Sequence, residues 1–115
     1  MPMRVLLITE HDDGVGPMTA AFLRDYSMQL EVMSVGRMPA KNLHQMVVAA
    51  MRECLVDLTG YQPKGLMDVD KKQFDMVVEW PEFPLPSDMD SFRVVRDEVK
   101  NEAFKWYKCN CLNNK

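Results

Sequence analysis

The chain has 115 residues, 47% of them hydrophobic and 27% charged, and its formal net charge is −3. These values predict one globular domain with its own hydrophobic core, because the chain is too short for two. The acidic balance and the scattered basic residues argue against nucleic-acid binding, and no apolar run approaches the roughly 20 residues that span a bilayer. We expect neither a nucleic-acid nor a membrane partner. The N-terminus lacks signal-peptide features, so we expect a cytoplasmic protein whose cysteines, Cys54, Cys109 and Cys111, are reduced.

The first third of the chain predicts a strand, a loop, a helix and a second strand. Residues 5–8 form a continuous apolar run, which is typical of a central parallel strand. The loop at 9–16 leads into a helix, because Pro17 suits a first helical turn and apolar residues then recur at helical spacing. In residues 30–35, apolar and polar residues alternate loosely, which predicts the second strand. Gly36 ends this strand.

The middle of the chain predicts a second helix and a third strand. Apolar residues at every third or fourth position predict a helix from Asn42 to Cys54, with Asn42 as its N-cap. Glycines and prolines predict a loop over residues 55–66. Residues 74–80 predict the third strand.

The last part of the chain predicts an irregular segment and a long helix. Three prolines between positions 81 and 86 exclude a helix there and permit at most a short edge strand at 83–85. Ser87 or Asp88 can cap the last helix. We expect residues 109–115 to form a flexible C-terminal tail outside a single domain of residues 1–108.

This order of elements predicts an α/β fold with three layers, in which a parallel sheet of about four strands lies between helices. Ligands bind such sheets at the carboxyl ends of the strands, which here is the loop at 9–16. The free amides at a helix start favour an anion. Glu10, Asp12 and Asp13 would repel an anion, so the side chains of the loop oppose the anion binding that its backbone favours.

Six segments, in the same order along the chain, resemble the low-molecular-weight protein tyrosine phosphatases and the thioredoxin-coupled arsenate reductases that share their fold. The segments are residues 5–8, 17–24, 34–36, 51–66, 74–78 and 92–99. In that family a Cys-x5-Arg-Ser loop follows the first strand and Pro-Met-Ala-Glu opens the helix, and Pro17-Met18 matches that opening. The resemblance implies the low-molecular-weight phosphotyrosine phosphatase I-like fold.

The resemblance places three altered residues in the loop. The family's nucleophilic Cys corresponds to Thr9, the Arg that binds the phosphoryl oxygens to Val15, and the following Ser to Gly16. A Thr hydroxyl is almost fully protonated at neutral pH unless a base activates it, and Val cannot stabilise transition-state charge. The family's general-acid Asp corresponds to Ser87 or to a displaced Asp88.

Arsenate reduction needs the same first Cys and two further cysteines after the third strand, and residues 80–86 contain none. We therefore expect a pseudophosphatase: a catalytically inactive homologue that acts as a binding or regulatory module, without a cofactor, for an unknown protein or small-molecule partner. The alternative is a phosphatase-like enzyme of altered mechanism that uses Thr9, His11, Asp12 or Asp13.

Two further groups of residues carry open alternatives. We expect Asp12 or Asp13 to accept hydrogen bonds from the loop amides, with a lowered pKa, in place of the lost phosphate and without a metal ion. Trp80, Phe83 and Leu85 either cover the core or form one wall of a groove. The degenerate loop consists of Thr9, Glu10, His11, Asp12, Asp13, Gly14, Val15 and Gly16.

Overall fold

The computed structural model describes residues 3–112, with the side chain of Leu112 left out. The strands are β1 (Met3–Thr9), β2 (Leu30–Gly36) and β3 (Met76–Glu79). The α-helices are α1 (Val15–Tyr26), α2 (Val47–Arg52) and α3 (Met89–Tyr107). Two 3-10 turns (Leu66–Asp68 and Lys71–Gln73) precede β3, and a π-helical turn (Lys108–Leu112) follows α3.

The sheet is parallel, and its strand order is β2-β1-β3. Val5 of β1 pairs with Val32 on one side and with Met76 on the other. The apolar run of β1 is buried as predicted, because the strand is covered on both faces. The sheet has three strands in the described residues rather than about four. The expected edge strand at 83–85 does not form, since each flanking proline removes a backbone donor.

The two faces of the sheet are covered differently. Val5 and Leu7 face α1, α2 and α3 and belong to the main core. Leu6 and Ile8 face the opposite side, where partly buried apolar residues of the segment before β3 pack on them. The three-layer α/β arrangement predicted from the sequence is therefore confirmed, with 3-10 turns rather than a helix in the third layer.

The second helix is shorter than predicted. It begins at Val47 instead of Asn42, and it ends at Arg52. In residues 37–44, four backbone amides donate to carbonyl oxygens of the loop at 9–13, over distances of 2.7 to 3.0 Å. Within the predicted helix, the His44 amide binds the carbonyl of Asp13 at 2.7 Å and the Met46 amide binds Nδ1 of His44 at 3.2 Å. These contacts fix the stretch before Val47 in a non-helical path, so the tertiary contact overrides the apolar periodicity.

The start of α3 agrees with the sequence prediction. Asp88 caps the helix, since its carboxylate accepts a hydrogen bond from the Ser91 amide at 2.8 Å. Phe92, Val99 and Ala103 are buried in the main core on the predicted face of the helix.

The C-terminal end of the described chain is helical. Of the expected tail at 109–115, residues 109–112 belong to the π-helical turn, which extends to Leu112. Cys111 in this turn packs against the main core. Residues 113–115 lie outside the described residues. Within 3–112, no helix has both the length and the apolar composition to cross a bilayer.

Candidate functional site

The loop at 9–16 lies at the carboxyl ends of β1 and β2, as predicted. It rests directly on Gly36, the last residue of β2. A Cβ atom at Gly36 would lie 2.8 Å from the carbonyl carbon of His11 and 2.9 Å from the amide nitrogen of Asp12. Glycine is therefore required at this position because the loop backbone approaches so closely.

Thr9, which stands where the resembled family has its nucleophile, is buried and bonded to the backbone. Its side chain is 1% exposed. The hydroxyl donates to the carbonyl of Val35 at 3.4 Å and accepts from the amide of Asp12 at 3.2 Å. Among the described hydrogen bonds, none joins this hydroxyl to a carboxylate or an imidazole. Thr9 thus holds the loop, and no base is positioned to activate it.

Val15, which the sequence resemblance aligns with the family's phosphate-binding Arg, lies in the main core as the first residue of α1. Its side chain is fully buried, and its carbonyl accepts a hydrogen bond from the Thr19 hydroxyl at 2.7 Å. A buried isopropyl group offers an anion neither charge nor a hydrogen-bond donor.

Asp12 lies on the inner side of the loop and is fully buried in a left-handed backbone conformation, with φ of 53°. Its carboxylate accepts hydrogen bonds from the Ser34 hydroxyl, from the Tyr61 hydroxyl at 2.7 Å and from the Lys64 amide at 2.7 Å. The carboxylate therefore joins the loop to β2 and to the segment after α2.

This geometry corrects the expectation for Asp12. Its carboxylate does not bind the loop amides, and its pKa is raised rather than lowered. Burial is the largest cause and outweighs the hydrogen bonds from Ser34, Lys64 and Tyr61, which favour the charged form. Burial likewise raises the pKa of the Tyr61 hydroxyl.

Two amides on the outer side of the loop bind a carboxylate that the sequence analysis missed. The amides of Glu10 and His11 donate to Oε2 of Glu82, at 2.9 and 3.2 Å. Glu82 is half-buried and lies in the proline-rich segment after β3. Neither a motif nor a spacing singles it out, because its partners are more than 70 residues away in the chain.

Leu85 closes the same side of the loop. A Cβ atom at Gly14 would overlap Cδ1 of Leu85, so the leucine lies directly on the backbone that opens α1. Glu82 and Leu85 together cover the loop with a short segment of the chain itself.

The predicted groove residues divide between two places. Leu85 lies on the loop, whereas Trp80 and Phe83 line a cleft of about 920 Å³ beside the C-terminal half of α3. Trp80 and Phe83 also pack against the main core, so both alternatives for this segment apply in part.

A smaller cleft of about 360 Å³ opens beside the covered loop. It is lined by His11, Asp13, His44, Glu82, Phe83, Pro84 and Leu85. The Nδ1 atom of His11 lies 3.0 Å from the carbonyl oxygen of Met38, and this contact is the main cause that raises the pKa of His11. Among residues 3–112, no group of three or more His, Cys, Asp or Glu side chains is arranged to hold a metal ion.

Neither protein-family models nor curated protein sequences give a match to this chain. Several solved structures, however, match its fold. Wzb from Vibrio vulnificus, in complex with benzylphosphonate, has a TM-score of 0.78 and 15% identity over 92% of this chain and 97% of its own. An arsenate reductase from Archaeoglobus fulgidus has a TM-score of 0.77 and 19% identity over 89% and 97%. A low-molecular-weight protein tyrosine phosphatase from T. tengcongensis has a TM-score of 0.77 and 17% identity over 92% and 98%.

The chain has the low-molecular-weight phosphatase fold. The resemblance predicted from the sequence is thereby confirmed for the fold. Sequence identities of 15 to 19% show a shared fold and nothing further. Within the low-molecular-weight phosphatase fold, Ser87 and Asp88 stand where the sequence comparison places the general acid. Both are exposed, and Asp88 binds the Ser91 amide, a contact that lowers its pKa. No described hydrogen bond joins either residue to the loop.

The side chains of the alternative catalytic set point in different directions. Thr9 and Asp12 face the buried side of the loop. His11 and Asp13 line the small cleft on its outer side. A nucleophile and its base must lie within hydrogen-bond reach of each other, and this set provides no such pair among the described contacts.

Proposed function

We propose that this chain is a catalytically inactive relative of the low-molecular-weight phosphatases that acts as a binding or regulatory module. One observation carries the proposal: the carboxylate of Glu82 binds the amides of Glu10 and His11. These two amides follow β1 directly in the loop that leads to α1, and successive backbone amides of a loop can form a concavity that holds an anion. The chain supplies its own anion there.

The chemistry of the loop supports the same proposal. Phosphoryl transfer to an enzyme needs an activated nucleophile and a cation that gathers charge in the transition state. Thr9 is buried with its hydroxyl on backbone groups, and Val15 is buried in the core. Neither position can perform its catalytic role without rebuilding the loop.

Two structural neighbours support a role for Glu82 in place of a bound anion. One arsenate reductase is described in a phosphate binding state, and Wzb is described with benzylphosphonate. We assign to Glu82 the role of an internal counterpart of such an anion. A partner that engages the loop therefore competes with Glu82 and Leu85.

We infer that this partner is a protein or a small molecule, and neither a nucleic acid nor a membrane. The formal charge of −3 gives no attraction for phosphate backbones. The proposal keeps the cytoplasmic location expected from the sequence, where Cys54, Cys109 and Cys111 persist as thiols.

The test is the hydrolysis of p-nitrophenyl phosphate by the purified protein and by a Thr9→Cys/Val15→Arg variant. We expect no turnover by the natural chain and little by the variant, because Glu82 and the loop carboxylates remain. An active low-molecular-weight phosphatase serves as the positive control. Turnover by the natural chain at about 1 to 10³ per second, the ordinary range for enzymes, would contradict the proposal.

A further inference from the structure

One edge of the sheet is a free strand. β3 pairs with β1 on one side, and no described strand pairs with its other side. The Trp80 amide donates to the carbonyl of Ile8 at 2.8 Å, and inward-facing amides recur at every second residue. The backbone groups of Val77 and Glu79 therefore face the free edge, where another strand can bind them.

The large cleft lies directly beside this edge. Its apolar walls are Trp80 and Phe83 after β3, with Phe104 and Trp106 from α3. The rings of Trp80 and Trp106 meet edge to face, with centroids 6.4 Å apart. Phe104 is 44% exposed. An open aromatic cleft beside an unpaired strand is the form of a protein interaction surface.

Charges on the cleft side of α3 are separated by sign. All four charges lie in the C-terminal half of α3 or just after it: Glu98 and Glu102 come first, and Lys105 and Lys108 follow them. The end of α3 lies beside the first residues of β1 and β2, because Tyr107 shares a pocket with Met3 and Leu30. The helix therefore runs opposite to the strands.

We propose that this surface binds a second copy of the same chain. A two-fold axis perpendicular to the sheet, midway between the two edge strands and level with Val78, sets β3 antiparallel to its partner strand, so that Val77 faces Glu79 of the other copy. The two three-stranded sheets then continue as one sheet of six strands. The same axis sets the α3 helices side by side and antiparallel.

The charge pattern favours a second copy over a foreign peptide. Within one copy, Lys105 Nζ already pairs with Glu102 Oε2 at 3.1 Å. In the antiparallel arrangement, the acidic part of the cleft, with Glu98 and Glu102, faces the basic part of the other copy's cleft, with Lys105 and Lys108, twice over. A basic or an acidic peptide would satisfy one half of the pattern and be repelled by the other half. Only a chain with the same separation of charges matches both halves.

Sedimentation analysis over a range of concentrations tests the dimer. We expect the full chain to shift from monomer to dimer as its concentration rises, and the dimer to weaken with added salt. A Lys105→Glu/Lys108→Glu variant should have a dissociation constant at least about tenfold higher, because each copy then presents four carboxylates to its partner. A Glu98→Lys/Glu102→Lys variant should be impaired equally.

Mixing the two charge-reversed variants separates an interface from a general defect. Each variant alone should be monomeric, and an equimolar mixture should form a one-to-one heterodimer, because opposite charges again face each other. A Lys41→Glu/Lys71→Glu variant has the same change in net charge at residues outside the cleft, and it should dimerise like the natural chain.

Three results would overturn the proposal. They are a monomer at all concentrations, dimers of both charge-reversed variants as tight as those of the natural chain, and a mixture that forms no heterodimer. A monomer that captures a synthetic extended peptide along β3 would assign the cleft to a foreign strand instead. Because the surface contains none of residues 9–16, none of these results bears on the catalytic silence of that loop.

Discussion

Two carboxylates hold the loop at 9–16 in place on its opposite sides, and they do so differently. On the inner side, Asp12 is fully buried, belongs to the loop itself and holds donors from two other segments. On the outer side, Glu82 is half-buried, comes from a distant segment and accepts from the loop's own amides. The inner contact determines the path of the backbone, whereas the outer contact covers a surface that a ligand could otherwise reach.

The difference indicates which side holds the fold and which side is open to regulation. Removing a buried acceptor leaves its donors unpaired in a place that water cannot enter, and this is costly. Removing a half-exposed acceptor lets water replace it. Substitutions on the inner side should therefore affect folding, and substitutions on the outer side should affect access to the loop.

The largest effect is expected for Asp12→Ala. The substitution leaves the Ser34 and Tyr61 hydroxyls and the Lys64 amide without their acceptor, and it places alanine at a positive φ. We expect a loss of about 3 kcal/mol in the free energy of unfolding at pH 7. Chemical denaturation measures it.

Asp12→Asn is the matched control. An amide has the same shape, tolerates the left-handed conformation, and can accept from Tyr61 and Lys64 while donating to Ser34. The free energy of unfolding of this variant should be within about 1 kcal/mol of that of the natural chain, or higher. An equal loss for both variants would show that the charge, not the hydrogen bonding, is what the site requires.

Gly36→Ala tests the inner side through packing. Its added methyl group would meet the backbone of His11 and Asp12, which the hydrogen bonds from residues 37–44 hold in place. We expect Gly36→Ala to lower the free energy of unfolding by about 2 kcal/mol. The control is Gly60→Ala, where φ is +81° but no atom lies within 4 Å, and conformational strain alone should cost about 1 kcal/mol. If thermal denaturation finds Gly36→Ala the milder of the two, the close approach is wrong.

Glu82→Ala should have a smaller effect on stability, about 1 kcal/mol, because water can reach the amides of Glu10 and His11 once the carboxylate is gone. Hydrogen exchange at those two amides should become faster. Glu82→Gln retains an acceptor oxygen and should protect them in part. Unchanged exchange in Glu82→Ala would mean that Glu82 does not cover the loop in solution.

The smallest expected effect is a pH dependence in stability. It concerns the difference in free energy of unfolding between Asp12→Asn and the natural chain. The pKa of Asp12 is raised in the folded protein, so the folded state holds this proton to a higher pH than the unfolded chain does. Ionisation of Asp12 therefore lowers stability as the pH rises from its unfolded pKa, near 4, through the raised value. The stability of Asp12→Asn relative to the natural chain should therefore increase over that pH interval, and this gain should vanish below it. Chemical denaturation at a series of pH values measures it.

The sequence alone predicts the parts of this molecule whose apolar pattern agrees with their final contacts. β1, α1, β2 and α3 were predicted close to their observed bounds, because each buries a continuous run or one face in a single core. The predicted second helix is too long, since the amides of His44 and Met46 bind the Asp13 carbonyl and the His44 ring instead of continuing the helix.

The site could be located from the sequence but not described. The order of elements predicts a parallel sheet and places the site in the loop at 9–16, at the carboxyl ends of its strands. The inward turn of Asp12 and the contact with Glu82 depend on tertiary geometry, and a lone Glu between prolines has no local signature. Whether a carboxylate faces the core or the amides is decided by a few ångströms of backbone, and residue types alone do not encode it.

The central claim is that the loop is occupied by a carboxylate of its own chain. Titration of the natural protein with inorganic phosphate, followed through the amide resonances of residues 10–18, tests it most directly. We predict small shifts without saturation, because Glu82 holds the amides of Glu10 and His11 and the neighbouring carboxylates repel the anion. Saturation of these shifts at sub-millimolar phosphate would contradict the account, since it would show an open loop that still binds the family's anion.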